Sequence, residues 1–161
     1  MGYMMDLRKK VGTESLIMVG ACVIILNESH QLLMQLREDN QCWGLIGGSM
    51  ELGESLEEAA IREMKEESGL IPDQLELLHT FSGKDFYYQY PHGDEVYNVV
   101  TAYTCRKYTG TLQNDEDEAI DLKFFSLKEL PINISPPDKL VLDYYLNASK
   151  QKLEQLDTRT V

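Results

Sequence analysis

The sequence predicts an α/β layered domain built around a mixed β-sheet. Three observations lead there. Leu16 to Leu26 is a Val- and Ile-rich apolar run broken only by Gly20. Ser55 to Ser68 has the period of an amphipathic helix, and Leu75 to Phe81 and Val96 to Arg106 alternate as strands do. Strands and helices following one another in mixed order pack as layers around one sheet.

In chain order, Leu16 to Leu26 reads as a buried strand, Asn27 to His30 as a turn and Gln31 to Leu36 as a second strand. The short connection makes these two a candidate hairpin. Trp43 to Ile46 is a short strand running into Gly47-Gly48. Ser55 and Glu58 form a capping-box pattern that fixes the helix start, and Gly69 stands where a C′ glycine would end it. A tyrosine-rich loop or strand pair links Leu75–Phe81 to Val96–Arg106. Asn114 to Glu118 is an acidic loop, and Phe124 to Ser126 a short strand with one turn after it at Leu127 to Leu130. Three prolines between Pro131 and Pro137 interrupt the pattern. A last amphipathic helix is expected from Asp138 to about Leu153, with Leu140, Val141, Tyr144, Tyr145 and Ala148 on one face. The expectation is one domain over 1–161, with its core at about 16–131 and a C-terminal helix at about 138–153.

Composition narrows the function. At 161 residues the chain suits one domain. The longest apolar run falls well short of the roughly 20 residues that span a membrane, and the N-terminus lacks the order of a secretory signal. A cytoplasmic protein is expected. Cys22, Cys42 and Cys105 are far apart, which argues against a structural zinc site and a disulfide framework. A formal net charge of −12 argues against a nucleic-acid partner, which needs clustered Lys and Arg. An acidic chain still binds a small polyanion when divalent cations screen its carboxylates.

The informative stretch is Gly47 to Leu70, GGSMELGESLEEAAIREMKEESGL. Leu56, Ala60 and Met64 recur every fourth residue and should face the sheet. At 100° per residue, Glu63, Glu66 and Glu67 fall within a ~100° arc that abuts this face. Glu63 and Glu67 are a like-charge i, i+4 pair, unfavourable by roughly a few tenths of a kcal/mol even in the open. Acids crowded at the edge of a buried face call for a cation, and hard ions such as Mg²⁺ or Mn²⁺ prefer oxygen ligands. Arg62 can orient one of the carboxylates. Gly47, Gly48 and Gly53 let the preceding loop bring its backbone close to a metal or phosphate, and Glu54 can aim a further carboxylate at the same place. A solvated acidic helix accounts for Glu57, Glu58 and Lys65, but not for the glycines or the acids beside the core.

Gly48, Glu54, Arg62, Glu63, Met64, Glu66, Glu67, Gly69 and Leu70 stand at the spacing of the Nudix box, and the chain resembles the Nudix hydrolase superfamily (MutT-like) from roughly Leu16 to Pro131. Ile46 departs from the proline that many members carry before the double glycine. The resemblance implies a Nudix-type α/β/α sandwich and metal-dependent hydrolysis of a diphosphate linkage in a nucleoside diphosphate derivative. Nucleoside triphosphates, dinucleoside polyphosphates and nucleotide sugars all qualify. It implies Glu63, Glu66 and Glu67 as principal ligands to Mg²⁺ (or Mn²⁺), with the Gly48 carbonyl and Glu54 as contributors. The base that takes the proton of the attacking water is Glu63 or an acidic-loop residue, Glu118 or its neighbour Glu116; a plain surface loop is the competing reading of that segment.

For the rest of the substrate, Tyr87 and Tyr88 are candidates to stack on a base, with strand packing as the alternative. Arg37 is a candidate phosphate contact. The expected partner is a small nucleotide-type molecule, and a homodimer is plausible for so small an enzyme. The competing function is a non-catalytic Nudix-fold nucleotide-sensing module; against it, every box glutamate is present.

Overall fold

A computed structural model of the chain describes residues 2–114 and 119–157, the last six by backbone alone. Among these, the chain forms helices α1 (Tyr3–Val11), α2 (Leu56–Ser68) and α3 (Pro136–Asp157). The strands are β1 (Leu16–Ile25), β2 (Gln31–Arg37), β3 (Trp43–Gly44), β4 (Ile46–Ser49), β5 (Leu70–Pro72), β6 (Glu76–Phe81), β7 (Tyr87–Gln89), β8 (Glu95–Cys105), β9 (Tyr108–Gly110) and β10 (Ala119–Ser126). The main sheet runs β4-β1-β8-β6, with β7 also on β8; β10-β2-β3 and β5-β9 form smaller sheets. The main sheet is mixed, because β1 pairs parallel with β8 and antiparallel with β4.

The long apolar run of β1 is explained by burial on both faces. Its even residues Cys22 and Ile24 pack with Val141, Leu142 and Tyr145 of α3, while Ala21, Val23 and Ile25 pack with Ala59, Ala60 and Met64 of α2. The sheet is thus sandwiched between α2 and α3, the α/β/α arrangement that the sequence implies. Each large aliphatic side chain buried there stabilises the fold by about 1.5–3 kcal/mol.

Helix α2 starts and stops where its sequence predicts. The Ser55 hydroxyl accepts from the Glu58 N–H at 3.2 Å and the Glu58 carboxylate accepts from the Ser55 N–H at 2.8 Å. Gly69 closes the helix in the left-handed region at φ 71°.

Four expectations are corrected. β1 and β2 do not form a hairpin: both edges of β1 are taken by β4 and β8, so β2 pairs with β10 and β3 and meets β1's end only at the Leu26–Leu32 bridge. The strand expected at Trp43 to Ile46 is two, because the chain changes sheets at Leu45. The last helix begins at Pro136, not Asp138, since first-turn prolines lack only N–H groups that have no helical partner. Its buried residues are Val141, Leu142 and Tyr145; Leu140 is exposed, and Tyr144 sits at the edge stacked on His79 at 4.7 Å.

Helix α1 is not among the expected elements. It has no side-chain cap and none of its residues is fully buried, although Met4, Leu7 and Val11 form a half-buried stripe at helical spacing. Among the described residues, no helix is long and apolar enough to cross a membrane.

Candidate active site

A cleft of ≈ 810 Å³ opens on the α3 side of the sheet. Its floor follows from strand alternation: Met18, Gly20 and Cys22 of β1 lie beside Asn98 and Val100 of β8. One wall is the charged flank of α2. Gly47 and Gly48 of β4 let that flank come close, because a Cβ on Gly48 would sit 2.5 Å from Glu63 Oε1.

Arg62 organises this wall. Its guanidinium donates to Glu54 at 2.7 and 3.0 Å, to Glu63 at 2.7 Å, to Glu66 at 3.1 Å and to the Ser49 carbonyl at 3.0 Å. Its pKa is raised, first by the Glu54 hydrogen bond. The same contact pulls Glu54 down. Both Glu54 oxygens are occupied, one of them also by the Glu51 N–H at 2.9 Å, so in this arrangement Glu54 braces Arg62 and does not line the cleft. Glu63 and Glu66 line it, Glu66 at the more exposed position.

Glu67 is different. It is 2% exposed, and its Oε2 accepts from the Gly47 N–H at 2.8 Å. Burial pushes its carboxyl up to about 8, with the Glu63 charge adding to the rise, against the opposing pull of Gln35, Gly47 and Arg37. Gln35, itself 1% exposed, backs Glu67 from β2, a role the sequence reading missed.

The opposite wall comes from β2, β7 and α3. Arg37 is held bidentately by Asp39 at 2.9 and 3.0 Å. Burial works to lower its pKa, but Asp39 outweighs that and the net shift is upward. Tyr88 lines the cleft and accepts from the Asn40 amide at 3.1 Å. Tyr87, one residue along the strand, points to the other face and packs on Tyr97 at 5.2 Å, which takes it out of the cleft. Tyr90, not among the expected site residues, also lines the cleft and meets Tyr88 edge-on at 4.9 Å. Asp138 enters from the first turn of α3, where burial lifts its carboxyl to about 6 while Arg37, the Leu45 N–H and Ser135 pull it down. Its signal in the sequence was an acid directly after Pro136-Pro137, which reads as an ordinary helix start.

Glu118 and Glu116 lie outside the described residues. Among the described residues, no three His, Cys, Asp or Glu side chains are arranged to hold a metal ion. The donor chemistry of Glu63, Glu66 and Glu67 nevertheless fits a hard divalent cation: oxygen donors only, one of them a buried acid whose ionised form burial and a neighbouring carboxylate disfavour.

The fold and this carboxylate-walled cleft define the class. The NUDIX domain model matches residues 16–145, so the chain belongs to the Nudix family and is a Nudix hydrolase. It is 33% identical over 123 residues to the ADP-ribose pyrophosphatase of Methanocaldococcus jannaschii, covering 74% of this chain and 69% of that protein. To the putative 8-oxo-dGTP diphosphatase of Bacillus subtilis it is 36% identical over 132 residues, covering 81% of each. The crystal structure of a MutT Nudix hydrolase from Burkholderia pseudomallei superposes with a TM-score of 0.68 at 25% identity, covering 81% of this chain and 98% of that one.

Proposed function

We propose that this protein hydrolyses the diphosphate linkage of a small nucleoside diphosphate derivative in the presence of Mg²⁺ or Mn²⁺. The observation that carries the reading is Glu67, a buried acid fixed by a backbone N–H and set beside Glu63 at the cleft wall. Two pyrophosphate-cleaving relatives, one named for ADP-ribose and one for 8-oxo-dGTP, support the same bond class.

Glu63, Glu66 and Glu67 would hold the metal, with Glu54 and the Gly48 carbonyl as further candidates. The ion, when bound, neutralises phosphate oxygens and acidifies a water. The rest is done by the chain. Arg62 keeps Glu63 and Glu66 together on one side, and Gly47 keeps Glu67 in place. A carboxylate, Glu63 or Glu118, accepts the proton of the attacking water. Arg37 supplies positive charge from the opposite wall. The Tyr88–Tyr90 pair offers ring faces to a base, a contact of about 1–3 kcal/mol, and Asp138 offers it a hydrogen-bonding carboxyl.

The test is phosphate release from nucleoside triphosphates, dinucleoside polyphosphates, ADP-ribose and nucleotide sugars. It is run with Mg²⁺ or Mn²⁺, with and without chelator, and with added phosphatase to reveal monophosphates. Metal-dependent turnover of one class, lost in Glu67→Gln, is the expected result. Silence across the panel would overturn the reading and favour a nucleotide-sensing module.

A further inference from the structure

Helix α1 lies outside the residues matched by the family, 16–145, yet two of its neighbourhood's residues, Gly2 and Met5, line the cleft. None of its residues is fully buried, but Met4, Leu7 and Val11 are half-buried along one face. Two polar clamps fix its ends. At one end the Tyr3 N–H donates to both oxygens of Glu51, at 2.9 and 3.2 Å. At the other, Arg8 pairs with Asp94 at 3.2 Å and donates to the carbonyls of Glu95, Gly12 and Glu14. The Arg8 side chain is only 10% exposed, beside the half-buried Leu7. Nine residues give about 14 Å of helix, enough to cross three strands spaced at about 4.8 Å. The clamps lie at that span: Glu51 just past β4, and Glu95 at the start of β8, with β1 between them. Met5 is 60% exposed and faces the same cleft as Met18 of β1.

We propose that α1 is a specificity wall, and that Met5 borders the part of the cleft that takes the group carried on the second phosphate. This rests on the proposed diphosphate chemistry: the carboxylates take the diphosphate, the Arg37, Tyr88 and Tyr90 wall takes the nucleoside, and the Met5–Met18 side is what is left. Met5 belongs neither to the clamps nor to the half-buried face of α1, so its side chain can change without disturbing the fold. Met5 therefore tunes the size of the accepted group.

The experiment is calorimetric binding of two uncleavable probes to the full chain with Mg²⁺. One is α,β-methylene-ADP, which stops at the second phosphate; the other is α,β-methylene-ADP-ribose, which carries a sugar there. Met5→Trp should weaken the longer probe at least fivefold relative to the shorter. Arg8→Met, which releases one clamp, should shift the ratio of the two affinities at least threefold. Circular dichroism and melting should stay those of the parent for Met5→Trp. Equal effects on both probes, within twofold in both variants, would overturn the wall. Failure of the parent to bind either probe is a different pattern; it would remove the proposed diphosphate reading and this inference with it.

Discussion

The Gly47 N–H and the Glu67 carboxylate meet at 2.8 Å, joining the loop side of the Nudix box to the last acid of its helix across twenty residues of sequence. That bond sets an acid where solvent does not reach, a position that opposes its ionisation. Glu67→Gln keeps an acceptor for Gly47 and removes both the burial cost of the charge and its repulsion with Glu63. Turnover should fall by at least about two orders of magnitude, while the melting temperature holds or rises. Near-parental metal-dependent activity in that variant would remove Glu67 from the site.

Gly48→Ala tests the approach of α2 to the sheet. The added methyl would come within 2.5 Å of Glu63 Oε1, so Glu63 must move and Arg62 with it. The expected outcome is a loss of more than about tenfold in kcat with KM changed far less, as a shift of about 1 Å in a reacting group produces. A crystal structure of the variant with Glu63 unmoved would contradict this.

The proton acceptor is decided by comparing Glu63→Gln with Glu118→Gln in pH–rate profiles. Whichever residue is the base should lose the acidic limb of its profile and about 10²–10⁴ in rate. A change under a few-fold in Glu118→Gln would return that residue to the surface.

Asp138 makes stability depend on pH with a definite sign. Its folded-state pKa, about 6, lies above the ordinary 3.8, so the folded protein holds this proton more tightly than the unfolded chain. The contribution of Asp138 therefore falls as pH rises from about 4 to about 6 and is level above that. Asp138→Asn lacks the titration. Its stability relative to the parent should grow across that window, by up to about 3 kcal/mol or a melting shift of roughly 6–12 °C. Urea unfolding of both proteins at intervals from pH 4 to 7 reads it out; a constant difference would show that the carboxyl is not strained by its surroundings.

Much of this architecture was legible because local rules and burial agree along α2. Capping box, apolar spacing and terminal glycine all point one way, and the acids follow from the helix geometry. Legibility failed where a segment's place is decided by partners distant in sequence. β1 and β2 read as a hairpin because nothing local reveals that β4 and β8 take both edges of β1. Tyr87 and Tyr88 were equal candidates until the register of β7 on β8 sent them to opposite faces. Asp138 and Tyr90 carry no motif and join the cleft only through packing. Helix α1 escaped because it is short and uncapped, and the Arg8-Lys9-Lys10 run interrupts its apolar stripe of Met4, Leu7 and Val11.

The segment just before α3 is laid alongside β3: the Trp43 N–H donates to the Asn133 carbonyl and the Ser135 N–H to the Trp43 carbonyl, both at 2.8 Å. This pairing delivers Ser135, Pro137 and Asp138 to the cleft. During synthesis, then, Arg37 and the carboxylates of α2 emerge from the ribosome before the α3 part of the far wall. A nascent chain halted near residue 130 lacks Ser135, Pro137 and Asp138, and the segment that supplies them is the last contributor to the cleft to be made.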